Sequence, residues 1–251
     1  MPITADEFDS GGQEAAIVLD FLRARADNAY TFGELDDFDK RVKKFLAKDR
    51  VSYFVEEKID GVSISLTYEK GRLALGATRG DGRFGDDVTE NLKTIRAVPL
   101  TKSTGYKVPG TLVLPRLMEV RGEVYLPRSA FEALNRQKEK EGEPLFVNPR
   151  NGAAGSLKQL DSRIVSRRNL SLFCYGLGAV EGSSFRTQHE ILEFLRVAGL
   201  PVNPHFKRCR DLEEVIATCS EWDSKRKKLE YDIDGMVVKV DDLNQQRRLG
   251  V

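Results

Sequence analysis

The sequence predicts an α+β protein in which helices cover antiparallel sheets. Three observations indicate this fold: segments of alternating polarity, capping residues ahead of helically spaced apolar residues, and a tight turn between two consecutive strands. The chain has 251 residues, of which 40% are hydrophobic. That is enough apolar material for a substantial core. We therefore expect one large globular domain, with or without a small appendage.

The first 48 residues favour two short helices. The apolar stripe of the first helix consists of Ile17, Val18, Phe21 and Leu22. Thr31 and Glu34 match a capping box, and apolar residues at helical spacing follow from Leu35 to Leu46. We predict residues 1–48 as an N-terminal helical segment and residues 49–251 as the core of the protein.

Alternation replaces helical spacing from Val51 onward. Residues 62–68 alternate between apolar and hydroxyl side chains, which predicts a half-buried strand. Glu69-Lys70-Gly71-Arg72 then predicts a hairpin turn, because glycine adopts positive φ at little cost. Further strands are expected at residues 117–126, 170–175 and 233–240.

Capping patterns predict three more helices. Each pattern places a serine, threonine or aspartate three residues before a glutamate, and apolar residues at helical spacing follow. The pairs are Ser129 with Glu132, Thr187 with Glu190, and Asp211 with Glu214. Gly142 and Gly199 are expected to end two of these helices.

Composition excludes several classes of protein. The formal net charge of +1 gives no general attraction to nucleic acid, so we expect this chain alone to bind duplex DNA weakly. Cys174, Cys209 and Cys219 are unclustered, which excludes a disulfide framework and a four-thiolate zinc site within the chain. We expect them to be reduced thiols. The chain has neither a signal peptide nor an apolar run of membrane-spanning length, so a cytoplasmic location without a membrane partner is expected.

Lys58-Ile59-Asp60-Gly61 lies between two predicted strands and offers a lysine amine as a covalent nucleophile. Such a lysine must lose its proton at neutral pH, so it needs nearby charges or partial burial. The motif alone is short, and a solvated lysine in a turn is the more common explanation of such a match. Glu56 precedes Lys58 by two residues, so strand alternation directs both side chains into one pocket. Glu57 is expected to point the other way, into solvent.

The strand at residues 233–240 carries a second unusual lysine. Lys239 alternates in phase with Val237, so both lie on one face of the strand. An inward lysine in an apolar strand is costly without an anionic or acceptor partner. Lys239 is therefore a better functional candidate than most lysines, whereas His189 and His205 have no motif around them and are expected at the surface or at helix ends.

Five segments together resemble the adenylation domain of bacterial NAD-dependent DNA ligases. They are Lys58-Ile59-Asp60-Gly61 and residues 76–91, 119–125, 146–161 and 231–240. The first and last segments are shared with the wider covalent nucleotidyltransferases. Arg79-Gly80-Asp81-Gly82 and Asn148-Pro149-Arg150-Asn151 are similar to segments of the NAD-dependent branch. The resemblance covers the chain from about Asn28 to Gly250.

The resemblance implies a covalent nucleotidyltransferase core, ATP-grasp-like and built on antiparallel sheets, and a role for each matching residue. Lys58 would accept AMP from NAD, and Asp60 would orient and deprotonate it. The residues implied in nucleotide binding are Glu56 at the adenine amino group, Arg79 and Glu123 at the ribose, Tyr175 and Val237 on the two faces of adenine, and Lys239 with Asp234. Residues implied in contacts with phosphates or DNA are Arg150, Lys158 and Arg226. Lys158 stands where the family commonly has arginine, which leaves a bidentate contact in doubt.

The resemblance also implies NAD and Mg²⁺ as cofactors and nicked duplex DNA as the substrate of the whole enzyme, with no metal-binding residues assigned in this chain. The family's module for the nicotinamide mononucleotide half has no counterpart before Asn28. A strand with a second phosphate-contacting lysine, and then an oligonucleotide-binding barrel, would follow Val251. We therefore expect self-adenylation from NAD by this chain to be very slow or undetectable. A non-catalytic nucleotide-binding homologue is the alternative, and an RNA ligase or capping enzyme is a more distant one.

Overall fold

The structure is a computed structural model that describes residues 16–20, 31–80, 84–101 and 114–250, with the backbone alone at residues 16–20. The strands are β1 (Ala16–Asp20), β2 (Tyr53–Ile59), β3 (Val62–Glu69), β4 (Arg72–Thr78), β5 (Leu117–Tyr125), β6 (Ser171–Val180), β7 (Lys207–Cys209) and β8 (Ile233–Val240). The helices are α1 (Phe32–Leu46), α2 (Thr89–Leu92), α3 (Arg128–Glu141), α4 (Pro149–Leu157), α5 (Ser162–Ser166), α6 (Gln188–Val197), α7 (Leu212–Lys225) and α8 (Leu243–Arg248). A short 3-10 helix spans Arg226–Lys228.

These strands form two antiparallel four-stranded sheets. The first sheet has the order β1-β8-β2-β7 and the second has the order β4-β3-β5-β6. The chain passes from the first sheet to the second between β2 and β3, and only Asp60 and Gly61 separate these strands. The Lys-x-Asp-Gly motif therefore lies where the two sheets meet. Mixed helix and antiparallel sheet confirm the predicted α+β class.

The β3–β4 hairpin follows the prediction. Its two central residues, Lys70 and Gly71, have φ angles of 47° and 76°. Two positive φ angles match the right-handed twist of the flanking strands, and glycine supplies one of them without a steric cost. The remaining predicted strands also form, although β6 extends beyond the predicted residue 175 to Val180.

The prediction of a helix at Ile17 and Val18 is wrong. The backbone of Ala16–Asp20 forms β1, which pairs antiparallel with β8 from Ala16 opposite Lys239 to Asp20 opposite Gly235. A short run containing β-branched residues fits a strand as well as a helix, and the available edge of β8 decides between them. Phe21 and Leu22, the rest of the predicted stripe, lie outside the described residues.

The capping predictions are confirmed at three of four helices. Thr31 and Glu34 form the reciprocal capping box of α1, and Thr187 and Asp211 accept from backbone N–H groups at the starts of α6 and α7. The prediction at Ser129 is wrong, because α3 begins one residue earlier, at Arg128, and has Pro127 as its N-cap. Proline cannot continue a preceding hydrogen-bonded turn and has a preset φ, so it starts a helix without a side-chain cap.

Each sheet has its own apolar core. The first sheet packs against α1 and α7 through residues such as Tyr53, Val55 and Val215. The second sheet packs against the helices around it through residues such as Leu66, Val120 and Leu195. Alternation along β2 directs Val55 to the first core and its neighbour Phe54 to the second. Successive residues of β2 therefore face different sides of the first sheet.

The three cysteines are free and buried, as expected. No helix within the described ranges is both long and apolar enough to span a bilayer.

Candidate active site

A cleft of about 560 Å³ opens between the two sheets. Residues from β2, β3, β5, β6, β8 and α4 line it, including most of the residues that the sequence singled out. Those residues are Glu56, Lys58, Arg79, Glu123, Arg150, Lys158, Tyr175, Val237 and Lys239. The fold therefore collects residues that are up to 183 positions apart, since Glu56 and Lys239 line the same cleft.

Lys58 pairs with Asp234 across the β2–β8 ladder. In this ladder Lys58 lies opposite Gly235 and Ile59 lies opposite Ile233, so Asp234 is one extra residue and forms a β-bulge. A bulge redirects the side chain of the extra residue. Here the Asp234 carboxylate contacts the Lys58 ammonium through Oδ2, and both side chains are largely buried. The other oxygen, Oδ1, is buried and has no hydrogen-bond partner.

Glu56 pairs with Lys239 one step further along the same ladder. Glu56 lies opposite Val237, so Lys239 is its diagonal neighbour, and the Lys239 Nζ is 2.5 Å from Glu56 Oε1. Diagonal neighbours are within reach of long side chains. The inward lysine of β8 thus has the anionic partner that its position requires.

Tyr175 forms the side of the cleft opposite β8. Its hydroxyl is 2.8 Å from the Ser63 Oγ, and its ring lies below the Lys239 ammonium, with 5.6 Å between Nζ and the ring centroid. Burial raises the pKa of Tyr175 to about 12, so the phenol stays neutral at physiological pH. Val237 lines the same cleft from β8.

Glu123 lies in β5 directly opposite Ser63 of β3. Burial raises the pKa of Glu123 to about 8, although Arg150 and Lys58 both act to lower it. The nearby carboxylates Asp60 and Asp234 raise it further. A carboxyl group that holds its proton near neutral pH can donate as well as accept a hydrogen bond.

Asp60 pairs with Arg150 of α4, with 3.0 Å between Oδ1 and Nη1. Helix α4 begins with Asn148 as N-cap, whose side chain accepts from the Asn151 N–H, and with Pro149 at its first position. Proline is preorganised for that position. The Asn-Pro-Arg-Asn segment is therefore a helix start that places Arg150 in the first turn, beside the cleft.

Three further basic residues were predicted to contact the nucleotide or DNA, and only two of them line the cleft. Arg79 lines the cleft but is exposed, and Lys158, at the C-terminal end of α4, pairs with Asp86 at 2.7 Å. Arg226 begins the 3-10 helix after α7, with its Nε 3.6 Å from a carboxylate oxygen of Asp223, and it does not line the cleft.

The close packing around Gly61 explains why the Lys-x-Asp-Gly motif ends in glycine. A Cβ added there would lie 2.4 Å from the carbonyl oxygen of Val124 and 2.9 Å from the Glu123 side chain. No side chain fits at that distance from a backbone carbonyl. The close approach lets the chain pass from β2 to β3 directly beside β5, which carries Glu123.

The expectation that Glu57 is solvated is wrong. Its side chain is 0% exposed, and Oε2 accepts hydrogen bonds from the Tyr231 hydroxyl and the Asn203 amide, each at 2.6 Å. The His205 Nδ1 lies 3.2 Å from Oε1. Alternation directs Glu57 away from Glu56 and Lys58, as predicted, but that side of the sheet is covered by the segments around residues 203 and 231.

Several cleft residues were absent from the sequence prediction. Ser63 is one, and Asn203, Phe206 and Leu192 also line the cleft. The hydroxyl-bearing face of β3 was a signal for Ser63, because a polar face on a half-buried strand borders solvent or a site. Within the part of the chain that the structure describes, no group of three or more His, Cys, Asp or Glu residues could hold a metal ion.

Comparison with known proteins agrees with this geometry. Residues 24–251 match the family described as NAD-dependent DNA ligase adenylation domain. The chain is 51% identical over 223 residues to a DNA ligase of Desulforamulus reducens, and 49% identical to DNA ligases of Bacillus cytotoxicus and Geobacter sulfurreducens. Each match covers 89% of this chain and 32% or 33% of the relative, so the chain spans about a third of their length. The chain belongs to the family of NAD-dependent DNA ligase adenylation domains.

Proposed function

We propose that this chain carries out the first step of DNA ligation, in which Lys58 accepts AMP from NAD. The observation that carries the proposal is the Lys58–Asp234 pair at the junction of the two sheets, inside a cleft of nucleotide size. In the whole protein the AMP would then pass to nicked duplex DNA. The near-neutral charge of this chain gives it little affinity for DNA by itself.

The reaction forms one bond and breaks another. The Lys58 amine attacks the α-phosphorus of the AMP half of NAD and forms an N–P bond. The P–O bond to nicotinamide mononucleotide breaks, and this group leaves with the electron pair. Asp234 is the group placed to take the amine proton, because Oδ2 contacts the amine and the buried Oδ1 has no other hydrogen-bond partner.

The remaining groups suit adenosine. Tyr175 and Val237 supply a ring and an apolar side chain for the two faces of adenine, and Glu56 supplies an acceptor for its amino group. Glu123, with its raised pKa, suits ribose hydroxyls that both donate and accept. Lys239 and Arg79 add positive charge for the phosphate.

Asp60 has a positioning role in this proposal. Its carboxylate pairs with Arg150, and its backbone N–H donates to the Asp232 carbonyl at 2.9 Å. These contacts fix the turn between Lys58 and β3, and they hold Arg150 at the edge of the cleft, where a leaving phosphate would emerge. A carboxylate is needed for the pair, so asparagine at position 60 would not replace it fully.

The residues of the cleft are compatible with a Mg²⁺ ion that is held mainly by the phosphates of the substrate. Asp234 contacts Lys58, and Asp60 and Asp234 both lie near enough to Glu123 to affect its carboxyl group, yet the described residues form no cage of three or more metal ligands. Mg²⁺ keeps several waters and commonly binds through one or two carboxylates plus substrate phosphates. When bound, it would neutralise charge on the phosphates, and one of these carboxylates would contact it.

Intact-mass analysis with each possible AMP donor tests the proposal. The chain is incubated with NAD or with ATP, each with Mg²⁺, and sampled over hours. We expect at most a slow mass gain of one AMP from NAD and none from ATP. The Lys58→Arg variant, which keeps the charge, should gain no mass from either donor. A gain from ATP alone would assign the chain to another kind of nucleotidyltransferase. Tight AMP binding without any gain, either from NAD or from the activated donor adenosine 5′-phosphorimidazolide, would indicate a non-catalytic binding protein.

A further inference from the structure

The Glu57 carboxylate is buried directly behind the two functional residues of β2, with Glu56 before it and Lys58 after it in sequence. Its side chain is completely buried, and strand alternation directs it to the face of β2 opposite that of the Glu56 and Lys58 side chains. Tyr231 and Asn203 both donate to its Oε2 at 2.6 Å. Burying a carboxylate is unfavourable unless it is hydrogen-bonded. The backbone pairing of β2 with its neighbouring strands does not require this buried side-chain network.

Tyr231 connects this network to Asp234. Tyr231 lies three residues before Asp234 and two residues before β8 begins. The ladder between β2 and β8 is regular as far as Lys58 and Gly235, and it is broken by the bulge at Asp234. The Glu57–Tyr231 hydrogen bond crosses from β2 to the chain on the far side of the bulge.

A second hydrogen bond holds the segment between Tyr231 and Asp234. The Asp60 N–H donates to the Asp232 carbonyl, so the chain before the bulge is attached to β2 at Glu57 and to the turn after it at Asp60. Burial raises the pKa of Tyr231 above its ordinary value, and the bond to Glu57 contributes. The phenol therefore stays protonated and remains a donor.

We propose that Glu57 is a positioning residue for the Lys58 reaction: through Tyr231 it fixes the bulge that places the Asp234 carboxylate against the Lys58 amine. A bulge leaves one residue unpaired, so the ladder alone does not determine where the Asp234 side chain points, and a slip by one residue would turn it to the opposite face. The side-chain bond across the bulge excludes that alternative. This role rests on the proposed function of Lys58, but its geometry can be tested separately.

Three single substitutions separate this role from a general contribution to stability. Tyr231→Phe removes only the hydroxyl. Glu57→Met keeps a similar shape but accepts no strong hydrogen bond. Glu57→Gln is the matched control, because its amide oxygen can still accept from Tyr231 and Asn203 while the charge is lost. Circular dichroism and thermal unfolding identify the folded variants, and Tyr231→Phe, the smallest change, decides the question if Glu57→Met does not fold.

The first readout is the competition of two lysines for a limiting amount of an acetylating reagent, followed by peptide mass analysis. Lys239 is the internal reference, since it lies in the same cleft and pairs with Glu56 rather than Asp234. We expect the ratio of Lys58 to Lys239 labelling to rise about threefold to tenfold in Tyr231→Phe and Glu57→Met, because Lys58 loses its fixed partner. The ratio should stay within about twofold of the wild type in Glu57→Gln.

The second readout is the rate of Lys58 adenylation by an activated AMP, adenosine 5′-phosphorimidazolide. Tyr231→Phe should be slower by about tenfold with AMP affinity unchanged, since positioning affects the reaction rather than binding. An unchanged labelling ratio in folded Tyr231→Phe would overturn the proposal, and so would a Glu57→Gln variant that behaves like Glu57→Met. If the wild type is not adenylated at all, the proposed function fails, while the labelling ratio still decides the role of Glu57.

Discussion

Asp234 is the bulged residue of β8, and its carboxylate is the ion-pair partner of the Lys58 ammonium. The two residues are 176 positions apart in the sequence. The junction of the two sheets brings them together, because β2 ends at the turn that leads into β3 and β8 is irregular at the same level. A local irregularity in an otherwise regular ladder thus places the candidate base beside the proposed nucleophile.

Asp234→Asn should slow Lys58 adenylation by about 100-fold or more, because the amide cannot take the amine proton. AMP affinity should change by less than about threefold, since Asp234 faces the amine rather than the adenosine. Single-turnover adenylation by activated AMP and calorimetry with AMP measure the two effects. Asp232→Asn is the control, because Asp232 lies in the same segment and pairs with Arg128 outside the cleft. Equal losses in both variants would contradict the assignment of the base.

Glu56 and Lys239 should show coupled effects on AMP binding. Glu56→Gln leaves the Lys239 ammonium without its carboxylate, and Lys239→Met leaves the buried carboxylate without its cation. We expect each single variant to bind AMP about tenfold more weakly than the wild type. The loss of binding free energy in the double variant should be smaller than the sum of the two single losses, by a coupling energy of about 1 kcal/mol. Calorimetry on all four proteins measures this cycle, and strict additivity would show that the pair does not act together.

Glu123 should make stability depend on pH. Its pKa is raised from 4.5 to about 8 in the folded protein, so between these values the folded state binds more protons than the unfolded state. The free energy of unfolding therefore falls as pH rises through this window. Glu123→Gln has no carboxyl to ionise, so it should unfold at least about 3 °C above the wild type at pH 8 and close to the wild type at pH 5.

The control for Glu123 is Glu132→Gln, on the exposed surface of α3. It should unfold within about 1 °C of the wild type at both pH values. Thermal unfolding of the three proteins at the two pH values is sufficient. A Glu123→Gln variant that is less stable than the wild type at pH 8 would mean that the carboxylate is ionised and stabilising in the folded protein.

Gly61→Ala should destabilise the fold by about 3 kcal/mol, because its Cβ would lie 2.4 Å from a backbone carbonyl that cannot move without disturbing β5. The midpoint of thermal unfolding should fall by roughly 5–10 °C. Gly176→Ala is the matched control, since a Cβ there meets no atom within 4 Å. Similar midpoints for the two variants would refute the steric explanation of this glycine.

Elements with strong local signals were predictable from the sequence. The caps of α1, α6 and α7 and the Lys70–Gly71 turn depend on hydrogen bonds and φ angles within a few residues, so the sequence specifies them directly. Strand β1 was not predictable in this way. Its short apolar run takes its conformation from β8, more than 200 residues away, and no local pattern carries that information.

The candidate site shows the same division. Nine of the residues that line the cleft were predicted from motifs, whereas the pairing of their side chains was not. Sequence reasoning assigned Asp60 to Lys58, but the structure pairs Asp60 with Arg150 and Lys58 with Asp234. The burial of Glu57 was missed for a related reason. Alternation determines which side of a strand a residue faces, but only the tertiary fold determines what covers that side.

Identifying the residue that carries the AMP tests the assignment of Lys58 as the nucleophile most directly. The chain is treated with adenosine 5′-phosphorimidazolide, digested, and mapped by mass spectrometry under conditions that preserve the phosphoramidate bond, with Lys58→Ala and Lys239→Met treated in parallel. We expect one AMP on Lys58 in the wild type, none on any lysine in Lys58→Ala, and modification of Lys58, at a reduced rate, in Lys239→Met. AMP on Lys239 in the wild type, or undiminished modification of Lys58→Ala, would contradict the assignment of Lys58 as the nucleophile.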